Sequence, residues 1–208
     1  MYKTIKKYLP IAMIPSLCLT SVFFLFSLEY DVEAQVTRSR TISFPEGKSL
    51  GIVFLQDSNN DNNIDSLEWW WANSPDWISA GNASGNISIP GSKESILFIK
   101  WQDDIDLSIL GKLKPDDIDF LIIQCSRRNT NKPNDESLQY ICHLTGLKTL
   151  ILEQTDITNE GLKSLTKIPS LTKLSFISEE LDDSGLANIA EIKSLTGLRF
   201  YSNKIIVR

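Results

Sequence analysis

The chain has 208 residues, of which 42% are hydrophobic and 23% are charged, and this balance is typical of a folded globular protein. Its formal net charge of −5 argues against nucleic acid as a partner, because nucleic-acid binding requires a basic patch. Three cysteines are too few for a disulfide framework. Cys125 and Cys142 could form one bridge in an oxidising compartment, or could remain two buried thiols.

Residues 1–34 have the layout of either a signal peptide or an N-terminal membrane anchor. Three lysines precede an apolar run over residues 8–28, whose length is close to the roughly 20 residues that span a bilayer. Val32 and Ala34 provide the small residues of a cleavage site before Gln35. Cleaved or not, the positive N-terminus predicts an exported body, in the periplasm, the cell envelope or outside the cell. Membrane contact is expected only if residues 8–28 are retained.

Residues 35–103 read as a small β module. Strand-like runs, separated by glycine and proline, occupy Thr41–Phe44, Leu50–Gln56, Asn86–Ile89 and Ser95–Trp101. A module of four or five strands is small for independent stability. We therefore expect it to cap the open end of the unit that follows.

The segment from Asp57 to Glu68 has the spacing of a calcium loop. Oxygen-bearing side chains occupy positions 1, 3, 5, 7, 9 and 12 of an EF-hand-type loop, and they are Asp57, Asn59, Asp61, Asn63, Asp65 and Glu68. Asn62 stands where such loops have glycine, and a strand-like run rather than a helix precedes the segment. The alternative is a solvated hairpin loop rich in Asn and Asp.

All five tryptophans lie within residues 35–103, at Trp69, Trp70, Trp71, Trp77 and Trp101. Three consecutive tryptophans cannot all face inward on one strand or helix, so at least one is expected to be exposed. An exposed cluster could bind a glycan or a partner. Alternatively, the rings fill the seam between the β module and the unit that follows, or lie near a membrane surface.

Residues 104–208 contain a repeat with a period of 24 residues. Matched apolar positions include Leu147, Leu171 and Leu195; Leu150, Leu174 and Leu198; and Leu152, Phe176 and Phe200. Within each unit the apolar spacing changes from two residues to helical steps, which predicts a short strand, a turn and a helix. Strands are predicted near 118–124, 147–153, 171–177 and 195–201, with a polar insertion over Arg127–Asn134 in the first, longer unit.

The segment Thr155-Asp156-Ile157-Thr158-Asn159-Glu160-Gly161-Leu162 resembles the consensus of a bacterial leucine-rich repeat, and residues 182–186 are a looser copy. Upstream motifs, such as Ile42-Ser43-Phe44-Pro45, are similar to exported bacterial proteins in which a short β region precedes such repeats. The resemblance implies an α/β solenoid of about three and a half repeats, with parallel strands on a concave face and helices on a convex face. It implies binding or scaffolding and provides no catalytic residues.

Residues that alternate with the buried leucines are predicted to point outward on the concave face. They are Phe120, Ile122, Gln124, Thr149, Ile151, Glu153, Lys173, Ser175, Ile177, Gly197, Arg199 and Tyr201. Five of them, namely Phe120, Ile122, Ile151, Ile177 and Tyr201, form an apolar streak that predicts a contact surface for a protein or peptide. Alternatively, two copies pack through this face, or the streak is without function. Self-association is also expected through an open C-terminal end of the solenoid.

The sequence does not indicate an enzyme. His143, the single histidine, adjoins Cys142, and adjacent helix residues point apart, so they cannot form a nucleophile and base pair. The Ser-x-x-Lys string at residues 170–173 includes the core position Leu171. No phosphate-binding glycine loop or nucleophile elbow is present. We therefore predict no cofactor, apart from the calcium that the Asp57–Glu68 loop could bind.

The leading hypothesis is thus a non-catalytic, exported module that binds a protein or peptide through its concave face. One alternative is a calcium-stabilised structural or envelope-attached protein, which calcium should protect against thermal unfolding. A third is carbohydrate binding through the tryptophan cluster, which should be detected as quenching of fluorescence by glycans.

Overall fold

A computed structural model describes residues 39–57, 77–178 and 181–202 as a mixed α/β protein. Its strands are β1 (Arg40–Phe44), β2 (Ile52–Asp57), β3 (Ile78–Asn82), β4 (Gly85–Ile89), β5 (Lys93–Lys100), β6 (Phe120–Gln124), β7 (Thr149–Glu153), β8 (Lys173–Ile177) and β9 (Gly197–Tyr201). The α-helices are α1 (Leu138–Ile141), α2 (Asn159–Lys163) and α3 (Asp183–Ala190), and 3₁₀ helices cover Leu107–Lys112, Asp135–Ser137 and Ser164–Lys167. No helix in these ranges is long and apolar enough to cross a membrane. The apolar run over residues 8–28 lies outside them.

Seven of these strands form one sheet, in the order β3-β2-β5-β6-β7-β8-β9. Strands β5 to β9 are parallel, whereas β2 is antiparallel to both β3 and β5. Strands β1 and β4 form a separate antiparallel pair. The sequence correctly predicted an α/β protein with parallel strands in the repeat.

The repeat period sets the register of the parallel strands. Thr149 is opposite Lys173, and Lys173 is opposite Gly197, so the steps from β7 to β8 and from β8 to β9 are each 24 residues. Ile96 of β5 is opposite Phe120 of β6, which is the same 24-residue step, whereas the step from β6 to β7 is longer. The predicted capping module, residues 35–103, includes β5. In the structure the sheet continues without interruption across the predicted boundary between residues 103 and 104.

The main core lies between one face of the sheet and the helices. It includes the inward residues Leu121, Leu150 and Leu174 of β6, β7 and β8, together with Leu138 and Leu162 of the helices. These apolar side chains are withdrawn from water by the neighbouring units, which is the main favourable contribution to folding. Because every unit repeats the same pattern, each strand extends one continuous core.

Small residues allow the helical ends of neighbouring units to approach closely. A Cβ on Gly161 would collide with the Asp135 carboxylate, and one on Gly185 would collide with the Asn159 side chain. The Asp135 carboxylate accepts hydrogen bonds from the backbone N–H of Thr158, at 2.8 Å, and from its hydroxyl, at 2.7 Å. The Thr158 hydroxyl in turn caps α2 by accepting from the Gly161 N–H. The Thr158 and Gly161 positions of the repeat therefore have a packing role.

Cys125 and Cys142 are both buried and are not bridged to each other. The Cys142 thiol donates a hydrogen bond to the Ser164 carbonyl oxygen at 3.3 Å. Burial raises the pKa of Cys125 to about 12 and that of Cys142 to about 11. Both groups are therefore protonated, weakly nucleophilic core thiols at neutral pH.

Two leucines at the same repeat position test how much the units contribute to stability. Leu174 is 0% exposed, whereas Leu198, one unit later, is 40% exposed. Leu174→Ala should reduce the free energy of unfolding by about 3 kcal/mol because it leaves a cavity. Leu198→Ala should cost about 1 kcal/mol or less. Urea unfolding of both variants is the measurement, and equal losses would contradict the burial described here.

Candidate interaction surface

The face of the sheet opposite the helices, here called the outer face, carries every predicted binding residue. Strand register places these residues in three rows across β6 to β9. The rows are Phe120, Thr149, Lys173 and Gly197; Ile122, Ile151, Ser175 and Arg199; and Gln124, Glu153, Ile177 and Tyr201. The sequence therefore predicted correctly which residues are neighbours.

Half of this outer face is covered. Ile122 and Ile151 are only 1% and 4% exposed, and with Ile96 they form a second apolar cluster. Phe54 and Trp77 pack against this cluster, with their ring centroids 5.8 Å apart. The expectation of a continuous exposed streak is therefore wrong at Ile122 and Ile151. Thr149 and Ser175 are buried as well.

Sequence reasoning missed this second cluster because it assigned its members to separate parts of the chain. Phe54 lies opposite Ile96 across the β2–β5 pair, and so they share the outer face with Phe120. One signal was available in the sequence. Leu97 and Ile99 precede Leu121 and Ile123 by 24 residues, the same step as in the later units.

The more accessible outward side chains lie at the end of β7, at both ends of β8 and on β9. We call this group the β7–β9 patch, and its residues are Glu153, Lys173, Ile177, Arg199 and Tyr201. Tyr201 is 58% exposed, and the other four side chains are half-buried. The patch combines an aromatic ring and an aliphatic side chain with two cations and one carboxylate.

Glu153 is the carboxylate of the patch, and its environment opposes ionisation. Burial raises the pKa of Glu153, although a hydrogen bond from Gln124 and the charge of Arg199 act in the opposite direction. The bond from the Gln124 amide to the Glu153 carboxylate is 3.0 Å long. Among the described residues, the Arg199 guanidinium has no hydrogen-bond or ion-pair partner.

A charged network connects β1 with the starts of β5, β6 and β7. Asp119, just before β6, forms ion pairs with Arg40 of β1 and with Lys148, the latter at 3.1 Å. Lys148 also pairs with Glu94 of β5 at 2.7 Å. Burial is the largest influence on the Asp119 pKa and raises it, but a hydrogen bond from the Ser95 N–H and the nearby charges lower it by more. The pKa of Asp119 is therefore below its ordinary value, and the ionised carboxylate stabilises the fold at neutral pH.

The predicted calcium loop lies almost entirely outside the described residues. Only Asp57 is described; it ends β2, and its carboxylate pairs with the Lys93 ammonium at 2.7 Å. Asn59, Asp61, Asn63, Asp65 and Glu68 are in the stretch that the structure does not describe. In the described ranges, no three acidic, His or Cys residues are grouped to hold a metal ion. Calcium binding by this loop remains a prediction.

The two described tryptophans have structural contacts. The Trp101 indole N–H donates to the Asn131 carbonyl oxygen at 2.8 Å, which holds the insertion that follows β6 against the end of β5. The Trp77 indole N–H donates to the Gln56 amide oxygen at 3.1 Å. Trp69, Trp70 and Trp71 lie outside the described residues. Carbohydrate binding by that triplet therefore remains a prediction.

Two further features are His143 and a pocket. The His143 imidazole Nε2 lies 2.9 Å from the Leu113 carbonyl oxygen, so this nitrogen contacts the backbone. The pocket of about 260 Å³ lies beside β2 and β5, where Lys48, Phe98 and Lys100 line it. The absence of catalytic activity remains a prediction.

Comparison with family models and with curated proteins produced no match for the sequence. The function must therefore be inferred from the geometry of the chain itself.

Asp119→Asn tests this charged network. The substitution removes the charge that Arg40 and Lys148 share, so at pH 7 the free energy of unfolding should fall by about 1–2 kcal/mol, because both cations are partly exposed to solvent. A depressed pKa stabilises the fold above the unfolded-state pKa, about 3.9, and this advantage is lost as the pH falls through the folded-state pKa. Urea unfolding should therefore show the two proteins converging in acid. Asp104→Asn, which removes an exposed pair with Lys48, is the control and should have far less effect.

Glu153→Gln should have the opposite effect, a small gain in stability at neutral pH. A raised pKa means that the folded state gains stability below the unfolded-state pKa, about 4.3, and loses it as the pH rises through the folded-state pKa. The amide keeps an oxygen for the Gln124 bond and carries no charge to desolvate. We expect roughly 0.5 kcal/mol at pH 7 and no difference near pH 3. A loss of stability at pH 7 in urea unfolding would contradict this account.

Proposed function

We propose that this protein is an exported, non-catalytic leucine-rich repeat module that binds a protein or peptide through the outer face of its parallel sheet. The observation that carries the proposal is the stacking of β6, β7, β8 and β9 in steps of one repeat unit. Such stacking presents one row of side chains from successive units to the same ligand, as in binding solenoids.

The repeat assignment is supported by the role of each consensus position. Leucines at the repeated positions are buried, as Leu150 and Leu174 illustrate. Gly161 and Gly185 occupy positions where a side chain would collide with the preceding unit. In this proposal the outer face is the concave face of about three and a half repeats, and the helices lie on the convex face.

The β7–β9 patch is the part of the face proposed to bind. Tyrosine and arginine are enriched among the residues that dominate binding energies, and this patch offers Tyr201 and Arg199 beside the aliphatic Ile177. A sheet surface is shallow, which suits an extended peptide or a protein loop better than a small molecule. Ile122 and Ile151 support the patch from within the second cluster rather than contacting the ligand.

Selection from a library of random peptides, displayed on phage, tests the proposal. Peptides enriched on the wild-type protein should bind Ile177→Lys at least about tenfold more weakly, because the substitution places a charged amine in the centre of the patch. Ile109→Lys is the matched control, since Ile109 is a half-buried isoleucine on the helix side. Isothermal titration calorimetry of synthetic versions of the peptides would measure both affinities.

Two results would overturn the proposal. The first is that no peptide is enriched over a blank surface under conditions in which the protein is folded. The second is that enriched peptides bind Ile177→Lys and wild type equally well. Circular dichroism of both variants distinguishes lost binding from lost folding.

A further inference from the structure

The exposed large hydrophobic residues of the described ranges all lie at or next to the two edges of the seven-stranded sheet. Leu198, Phe200 and Tyr201 belong to the edge strand β9, Ile78 belongs to the opposite edge strand β3, and Ile52 lies in the adjacent β2. Leu198 and Phe200 are the most informative of these. They continue the buried positions of Leu174 and Phe176, but they are 40% and 41% exposed.

The backbone of β9 has one unpaired side within the described part of the chain. The Gly197 N–H and the Tyr201 carbonyl oxygen bond toward β8. In a parallel strand, alternate residues direct their hydrogen-bonding groups to opposite sides. Leu198 and Phe200 therefore direct theirs to the open edge, where such groups form a template for another strand.

We propose that a second copy of this chain occupies this edge, with the two β9 strands antiparallel about a two-fold axis perpendicular to the sheet. This symmetry keeps the inward faces of both sheets on the same side. Leu198 and Phe200 of the two copies then form one shared apolar contact, and the two sheets become one. The proposal does not require peptide binding by the patch, although the dimer would use Arg199 and Tyr201 of that patch as well.

Side-chain chemistry selects one register for this pairing. If Phe200 is opposite Phe200 of the partner subunit, then Arg199 is opposite Tyr201 of the partner subunit, twice in the dimer. These are non-hydrogen-bonded pairs, in which facing side chains are closest, and a guanidinium over a tyrosine ring is attractive. A shift by one residue in each strand would instead place the two Arg199 side chains opposite each other, which is unfavourable.

The self-complementarity of β9 is the reason for choosing a second copy as the occupant. Arg199 and Tyr201 supply both members of the facing pair, so two identical strands satisfy each other. The β3 edge is less suited to pairing. It contains Gly81 at φ +126°, and the β2–β3 register shifts between Val53 and Phe54, two features that distort an edge.

Sedimentation equilibrium of the full chain, in a mild detergent, tests the proposal. We expect a reversible dimer for the wild type and a weakening of at least about tenfold for Phe200→Glu, which places two carboxylates at the axis. Ile78→Glu is the matched control, because it puts the same charge at a more exposed isoleucine on the other edge, and should dimerise like wild type. Peptide binding should survive Phe200→Glu, since Phe200 faces away from the patch.

The register is tested by whether Arg199→Ala weakens or strengthens the dimer. Arg199→Ala should weaken the dimer about fivefold if Arg199 faces Tyr201, whereas it should strengthen the dimer if the two arginines face each other. Oxidation of Phe200→Cys should give a disulfide-linked dimer, while Ile78→Cys, with the same native cysteines, should not. This measurement does not require the dimer to be weakened.

A wild-type protein that remains monomeric at high micromolar concentration would overturn the proposal. So would a dimer that Phe200→Glu leaves intact while the variant is folded by circular dichroism, because association would then use another surface. If only Ile78→Glu dissociates the dimer, the contact lies at β3, and this result would also overturn the proposal.

Discussion

The structure depends on the burial of one set of apolar residues that repeats every 24 residues, with one longer interval. Because β5 to β9 are parallel and step by one unit, with a single longer step between β6 and β7, the same side of each strand always faces the helices. Leu150 and Leu174 thus enter one continuous core. The close contacts at Gly161 and Gly185 follow from the same constraint, since units can stack in register only if their helical ends approach closely. A unit without its neighbour could not bury its inward face.

The outer face shows how a second, smaller cluster limits where a ligand could bind. Aromatic side chains from β2 and from the start of β3 join Ile96, Ile122 and Ile151, so one half of the face is closed by the chain itself. Side chains remain accessible on the other half, where the units carry polar and charged residues together with Ile177 and Tyr201. The covered half lies where it does because β2 pairs with β3 and β5, and the repeat pattern alone does not specify this pairing.

Charge acts mainly to join the N-terminal strands to the repeats. Asp119 is the centre of this arrangement, since it pairs with Arg40 of the two-stranded sheet and with Lys148 of the next unit. A hydrogen bond from the Ser95 N–H, together with these two cations, offsets the cost of burying the carboxylate, as its lowered pKa indicates. Among the described residues, no cation lies at ion-pair distance from Glu153, and burial dominates its pKa. A buried carboxylate therefore stabilises the fold at Asp119, whereas at Glu153 it is only tolerated.

The strands of the repeat, their register and the list of outward residues can be predicted from the amino-acid sequence, because spacing along one chain is a local property. The sequence also predicts four of the five strands that precede residue 104, although not β3. Three features appear only in the folded chain: β5 joins the repeat sheet, Ile122 and Ile151 are covered, and Asp119 contacts Arg40. Those outcomes depend on contacts between residues such as Phe54 and Ile96 that are far apart in sequence, and an alternating pattern is the same whether the outward side faces water or another side chain.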